Sequence, residues 1–159
     1  MNAVAFLIGT TAMGLAAGCL PIDDVTRVDF NRTAWDAVKP HEYVFEYVRD
    51  CLCPGRGAWW RVRIRGDSVI HVELADTGAA QRDDILEGLE MHHPTIDEIF
   101  AQISHDLRRK PSAFEITYHP LWHHPREIDV DVSSTTFGDE WGISIRGVRP
   151  AFTFGAWKR

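Results

Sequence analysis

Residues 60–74 read WRVRIRGDSVIHVEL, and this stretch decides the fold of the chain. Apolar and polar residues alternate along both arms, as they do in a strand with one buried and one solvated face. The apolar members are Trp60, Val62 and Ile64, then Ile70, Val72 and Leu74. Gly66-Asp67 between the arms suits a two-residue hairpin turn. The stretch therefore predicts an antiparallel β-hairpin.

Runs with the same alternation lie on both sides of this hairpin, one before it and three after it. Their apolar members are Tyr43, Phe45 and Tyr47, then Phe114, Ile116 and Tyr118, then Ile128, Val130 and Val132, and finally Trp141, Ile143 and Ile145. Phe152 and Phe154 suggest a further edge strand. With the hairpin, these runs predict about six strands.

Two helices are predicted from other signals. Thr95 and Glu98 have the spacing of a capping box, and the following residues predict a main helix at about 95–109. Its apolar stripe consists of Ile96, Ile99, Phe100, Ile103 and Leu107. A short N-terminal helix is predicted at about 33–38, because Pro40 prevents its extension.

The order helix, three strands, helix, three strands predicts an α+β fold. In it, an antiparallel sheet of about six strands has the main helix and the short N-terminal helix packed on it. We expect residues 31–159 to form this single domain, with residues 19–30 as a tether before it.

The first 22 residues contain no Asp, Glu, Lys, Arg or His, and small residues follow their apolar core. Leu15-Ala16-Ala17-Gly18-Cys19 resembles the bacterial lipobox, which implies a lipoprotein signal peptide at 1–18, cleavage before Cys19 and lipidation of Cys19. The usual Lys or Arg near the start is missing, so an uncleaved membrane helix is the alternative. Either would place the domain outside the cytoplasm.

The expected localisation is therefore membrane-anchored in the cell envelope. Leu20, rather than an aspartate, follows the lipidated cysteine. In a two-membrane bacterium this predicts the outer membrane, with the domain facing the periplasm; in a one-membrane bacterium it predicts the cell surface.

The other two cysteines are Cys51 and Cys53, an even pair that suits an oxidising compartment. Thiols one residue apart on an extended strand are too distant for a relaxed disulfide. A bridge therefore needs a bend, for which Pro54-Gly55 is suited. A structural staple is the preferred interpretation of this disulfide candidate, and thiol–disulfide exchange is the alternative.

Histidines form close groups at His92-His93 and at His119, His123 and His124. The second group is a weak candidate for a zinc or copper site, because imidazole suits both metals. Its spacing matches no recognised ligand pattern, and solvated loop histidines are the default. Carboxylates at 129, 131, 139 and 140 flank a polar loop that suggests calcium, but their spacing differs from an EF-hand. No cofactor is predicted.

Charge and motifs narrow the function classes. The net charge of −6 argues against a nucleic-acid partner, which requires a basic surface. The sequence has no phosphate-binding loop, nucleophile elbow or zinc-protease helix, so an enzyme is not the preferred hypothesis.

Several motifs together resemble the bacterial domain-of-unknown-function family 6174 over about residues 35–146. They are Tyr43 and Tyr47 before Cys51-x-Cys53-Pro54, then Ala75-Asp76-Thr77-Gly78, Pro94-Thr95-Ile96-Asp97-x-Ile99-Phe100, Tyr118, Pro125-x-x-Ile128, Asp131, Asp139-Glu140 and Ile143. The resemblance implies an exported, frequently lipid-anchored domain without an established activity. Where the family often has Gly-Tyr before Pro125, this chain has His123-His124.

The sequence thus leads to two hypotheses. The first is a non-enzymatic envelope lipoprotein, held in the membrane through Cys19, that binds an envelope protein partner. The second is a metal-binding or thiol-redox envelope protein that uses the histidine cluster or the Cys51–Cys53 pair.

Overall fold

A computed structural model describes residues 23–75 and 91–151 of the chain. These residues form two helices and a six-stranded antiparallel sheet with the strand order β3-β2-β1-β6-β5-β4. The helices are α1 (Asp24–Val38) and α2 (Ile96–Arg108). The strands are β1 (Glu42–Cys51), β2 (Trp60–Arg65), β3 (Ser68–Leu74), β4 (Ala113–Tyr118), β5 (Pro125–Asp131) and β6 (Glu140–Pro150). The predicted α+β class with about six strands is confirmed.

The two halves of the chain each contribute three neighbouring strands. Hairpin pairing joins β1 to β2 and β2 to β3, and likewise β4 to β5 and β5 to β6. The halves meet where β1 pairs with β6, with Tyr47 opposite Ile145. β1 and β6 are the central strands, and the inward side chains of Phe45 and Tyr47 on β1 are fully buried.

Both helices pack on the same face of the sheet and form one core with it. The capping box of α2 is present: the Glu98 N–H donates to Thr95 Oγ1 at 3.1 Å, and the Thr95 N–H donates to Glu98 Oε2 at 2.8 Å. The predicted apolar stripe is buried, apart from the partly buried Leu107. Asp106 is buried as well, and its carboxylate accepts a 2.9 Å hydrogen bond from Trp141 Nε1.

The N-terminal helix is longer than predicted. It begins at Asp24 instead of about Thr33, so residues 24–30 of the predicted tether are helical. Asp23 caps the helix, since its carboxylate accepts the Thr26 N–H at 2.9 Å, and this hydrogen bond lowers the pKa of Asp23. Only Val28, Asn31 and Trp35 of this helix are buried, which leaves too sparse an apolar pattern for the early turns to be recognised.

The predicted alternation in β3 is wrong on one side of a bulge. Arg63 pairs with His71 while Ile64 pairs with Val69, so Ile70 is an extra residue. A bulge of this kind reverses the alternation beyond it. Val69 therefore joins Val72 on the core face, and Ile70 is 42% exposed.

The remaining predictions for the fold concern where strands end and whether a further edge strand follows β6. Val132 lies just past the end of β5, and β6 extends beyond the predicted Ile145 to Pro150. The edge strand at Phe152 and Phe154 lies outside the described residues. Within residues 23–75 and 91–151, neither helix is long and apolar enough to cross a membrane.

Candidate binding groove

The sheet has two distinct ends, which its register defines. At the end called here the disulfide end, β1 finishes at Cys51, and β6 begins beside it with Trp141 as its partner. At the other end, called the turn end, Tyr118 of β4 pairs with Pro125 of β5 across the turn 119–124. The seven residues of β5 separate the two ends by about 20 Å.

A disulfide between Cys51 and Cys53 closes a small loop at the disulfide end. The two Cα atoms are 5.2 Å apart, closer than in an extended strand, so the chain bends here as a bridge requires. The bend directs Leu52 outward, where its side chain is 64% exposed. The disulfide candidate is therefore a disulfide in this structure.

The β5–β6 loop faces Leu52 from the other side of this end. Phe137 is 92% exposed at its tip. Gly138 follows it with a φ of 85°, and a Cβ atom there would lie 2.8 Å from Leu52 Cδ1. Leu52 therefore packs against the backbone of this loop; the positive φ favours glycine at position 138, and a Cβ atom there would push the exposed Leu52 side chain aside.

A groove with a cavity volume of about 460 Å³ lies between these walls. One row of residues runs across four strands in its lining: Asp50 pairs with Gly142, Gly142 with Asp129, and Asp129 with Glu115. Gly142 carries no side chain, and the Asp129 carboxylate lies over it: a Cβ atom at Gly142 would be 2.9 Å from Asp129 Oδ1 and 3.6 Å from Asp50 Cβ.

The groove is acidic. The side chains of Asp131 and Glu140, opposite each other on β5 and β6, add to the three carboxylates of this row. Arg56 is the basic residue in the lining, and it pairs with Asp50 at 2.8 Å. The groove therefore offers excess negative charge between two exposed apolar side chains.

The carboxylates do not converge on one point. Among residues 23–75 and 91–151, no group of three or more His, Cys, Asp or Glu side chains is arranged to hold a metal ion. Asp129, Asp131 and Glu140, which the sequence marked as a possible calcium loop, are spread along the groove.

The three candidate histidines all lie in the β4–β5 turn, at the opposite end of the sheet. His119 Nδ1 accepts the N–H groups of Leu121 and Trp122 at 3.2 and 3.1 Å. His124 is 3% exposed and donates its Nδ1–H to the Pro125 carbonyl at 2.7 Å, and its ring stacks on that of His119. His119 and His124 thus each use one ring nitrogen to fix the turn.

His123 has a different place in that turn. Its φ of 60° lies in the left-handed region, which favours glycine. Glycine, which the family that this sequence resembles often has at this position, suits this conformation. His123 Nδ1 lies 3.2 Å from Asn31 Oδ1 on α1, and its ring contacts the ring of Phe30 edge-on.

His93 of the other pair is partly buried. Its Nδ1 is 2.8 Å from the Tyr47 hydroxyl, and its ring packs edge-on against Trp60 with centroids 4.8 Å apart. Burial lowers the pKa of His93 and raises that of Tyr47 to about 12. Both groups are therefore neutral at physiological pH, and the pair ties the segment before α2 to the centre of the sheet.

The lipidation candidate Cys19 and the lipobox lie outside the described residues. The groove was not recognised from the sequence, although Asp129, Asp131 and Glu140 were noted in it. Leu52 and Phe137 carry no periodic signal, and Asp50 and Glu115 are 65 positions apart in the numbering, a distance that only strand pairing closes. The signal that the sequence offers for the groove is that Leu52 and Phe137 each stand in a loop rich in turn-forming residues.

The fold and the disulfide-bonded loop define an α+β domain with an antiparallel sheet and a surface groove. The family model described as "Family of unknown function (DUF6174)" matches residues 27–150, and the chain belongs to this family. No curated protein and no solved structure matches the chain.

Proposed function

We propose that this chain is a cell-envelope lipoprotein whose domain is a non-enzymatic binding module. Cys19 would anchor it to the membrane, and the acidic groove at the disulfide end would receive a segment of an envelope protein. The observation that carries the binding proposal is the groove itself, because exposed apolar side chains flank carboxylates that face solvent.

The anchoring part is supported by the sequence and by the cysteines. Leu15-Ala16-Ala17-Gly18-Cys19 has the small residues that a lipoprotein peptidase accepts. The disulfide of Cys51 with Cys53 suits an oxidising compartment outside the cytoplasm. With Cys19 lipidated, all three cysteines of the chain would be accounted for.

The chemistry of the groove indicates what it binds. Leu52 and Phe137 present apolar surface of 64% and 92% exposure, so a partner side chain can be buried against them. The neighbouring carboxylates of Asp50 and Asp129 attract a cation. The complementary partner is a polypeptide segment with a Lys or Arg beside an apolar side chain.

Mass spectrometry of the membrane-bound protein tests the anchor. We expect the protein to begin at Cys19 and to carry the added mass of a diacylglyceryl group, with or without a third acyl chain. An intact Met1 on the membrane-bound protein would overturn the lipoprotein proposal and favour an uncleaved membrane helix.

Site-specific photo-crosslinking in the native envelope tests the groove. A photoreactive residue replaces Phe137 in the full chain, or Ile70 on the distant edge strand as a control. We expect a discrete adduct from position 137 alone. Asp50→Asn with Asp129→Asn should remove most of it, whereas Glu127→Gln, on the same strand but outside the groove, should preserve it.

Charge dependence makes the crosslinking result decisive. Salt should weaken the adduct, because it screens exposed charges. An adduct that forms equally from both positions, or that ignores the two aspartates, would contradict the proposed groove. It would leave the lipid anchor untouched.

A further inference from the structure

We infer that an apolar surface at the turn end lies against the lipid bilayer in which the protein is anchored. This Phe30–Leu121 surface consists of Phe30 on α1 and Leu121 in the β4–β5 turn. The inference rests on the proposed lipidation of Cys19 and adds to it how the domain is oriented on the membrane.

Phe30 points away from the core that holds its own helix. At 100° per residue, it is turned by about 140° from Trp35 and by about 160° from Val28, both of which are fully buried. Its ring is 64% exposed and contacts only the edge of His123 among the ring contacts of the described residues. The fold of the domain leaves most of this large apolar side chain uncovered.

Leu121 is a second exposed apolar side chain, in the turn whose His123 contacts Phe30. It is 77% exposed and lies two positions before His123, the residue that contacts Phe30. The turn beneath it is fixed, because His119 Nδ1 accepts the N–H groups of Leu121 and Trp122. The structure thus holds an exposed leucine in place, as an interfacial anchor requires.

The length of the chain before the helix identifies the occupant. Three residues lie between Cys19 and the helix cap Asp23, so the two Cα atoms are four steps and at most about 14 Å apart when the chain is fully extended. Phe30 lies about 10 Å further along α1. A lipidated Cys19 therefore keeps Phe30 within about 24 Å of the headgroups.

A bilayer is favoured over a protein partner by this tethering. The acyl chains of Cys19 fix the domain at the membrane, so contact with lipid occurs at a high effective concentration, whereas a partner must be recruited. Aromatic and aliphatic side chains gain free energy at the boundary between headgroups and acyl chains. The Phe30–Leu121 surface is small. The acyl chains supply the affinity for the membrane, and this surface sets the orientation of the domain.

This orientation has a consequence for the groove. With the turn end on the bilayer, β5 extends away from the membrane, and the disulfide end lies about 20 Å further out. Leu52 and Phe137 then face the aqueous space of the envelope, where a partner can reach them.

Nitroxide depth measurements on the full-length lipidated protein test the inference. The protein is placed in vesicles of phosphatidylethanolamine and phosphatidylglycerol at three to one, a probe composition of about the usual bacterial charge. A single label is attached at Leu121→Cys or, as the matched control, at Phe137→Cys. Both sites are highly exposed, so neither substitution removes a core contact.

We expect oxygen, which concentrates in lipid, to relax the label at 121 severalfold more than a water-soluble nickel chelate does. The label at 137 should show the reverse. Adding Phe30→Glu to the Leu121→Cys protein should shift its label toward the aqueous pattern, because a charge at the interface opposes insertion.

The outcomes separate the two proposals. If mass spectrometry shows lipid on Cys19 but both labels behave as aqueous, the surface does not dock on the bilayer, and the lipoprotein proposal stands. Protection of position 121 by protein in native envelopes, but not in these vesicles, would replace the bilayer with a protein partner. An unmodified Cys19 would overturn the anchor and, with it, the inferred orientation.

Discussion

The turn end and the disulfide end of the sheet are built in opposite ways. At the turn end, Trp35, Tyr43 and His124 are buried together, with the Trp35 ring edge-on to both other rings. At the disulfide end, Leu52 and Phe137 are largely exposed, and a disulfide holds the loop that carries Leu52.

The difference shows where the chain places most of its packing and where it leaves a groove for a protein partner. Long-range packing supports the turn end, because the β4–β5 turn lies far along the chain from α1 and β1, which it contacts or packs beside. A local covalent bond supports the disulfide end, so its side chains need not be buried to be ordered. Surfaces for recognition commonly lie on loops that a rigid scaffold positions.

The largest expected loss of stability comes from removing the Trp35 side chain at the turn end. Trp35→Ala deletes a fully buried ring and the hydrogen bond from its Nε1 to Asp97. We expect the free energy of unfolding to fall by about 3–5 kcal/mol. Urea denaturation measures this, with Phe30→Ala on the exposed face of the same helix as the control, which should cost less than about 0.5 kcal/mol. Equal losses in the two variants would show that α1 is not the anchor of this end.

A pH effect of intermediate size comes from His124. Burial lowers its pKa to about 4 in the folded protein, while the unfolded chain has an ordinary pKa of about 6.5. The unfolded state therefore binds more protons between these values, and the stabilisation, which is complete above pH 6.5, is lost as the pH falls toward 4. The loss is roughly 3 kcal/mol.

Urea denaturation between pH 7 and pH 4 measures this dependence. His124→Leu should be less stable at pH 7, because the Pro125 carbonyl loses its donor, but its stability should change less with pH than that of the natural sequence. His119→Gln in the same turn is the control. An unchanged pH dependence in His124→Leu would mean that His124 is not the responsible group.

The smallest effect is expected at the disulfide end. Cys51→Ser with Cys53→Ser removes a bridge that closes a three-residue loop, and loop-closure entropy predicts a loss of about 1–2 kcal/mol. The yield of the photo-crosslink from position 137 should fall by more than this loss of stability explains, since Leu52 is no longer held. Thiol titration provides the check: the exported protein should show no free thiol until it is reduced, and two reactive thiols would overturn the staple.

Sequence patterns predicted most of the fold because the relevant signals are local. The Arg61–Arg65 alternation and the capping box at Thr95 each lie within a few residues, and both elements formed as expected. The start of α1 was missed because its first turns bury only Val28. The face of Ile70 was wrong because a bulge depends on the pairing of β3 with β2.

The groove could not be predicted in the same way. Asp50, Asp129 and Glu115 come from three strands and lie in one row only because each strand pairs in a particular register. Conversely, His119, His123 and His124 are close in sequence and suggested a metal site. The tertiary structure instead gives each ring a hydrogen bond within the turn or to α1.

By itself, the sequence determined the elements of this protein: six strands, the main helix, the likeness to its family, and the lipobox that predicts an anchor at Cys19. Those features depend on neighbours along the chain, whose spacing is fixed by covalent geometry. The tertiary structure decided that the two loops of the disulfide end meet around a row of carboxylates. It also decided that the turn carrying Leu121 meets Phe30 of α1, through His123, at the other end. These arrangements require contacts between distant residues, which strand register and helix packing alone provide.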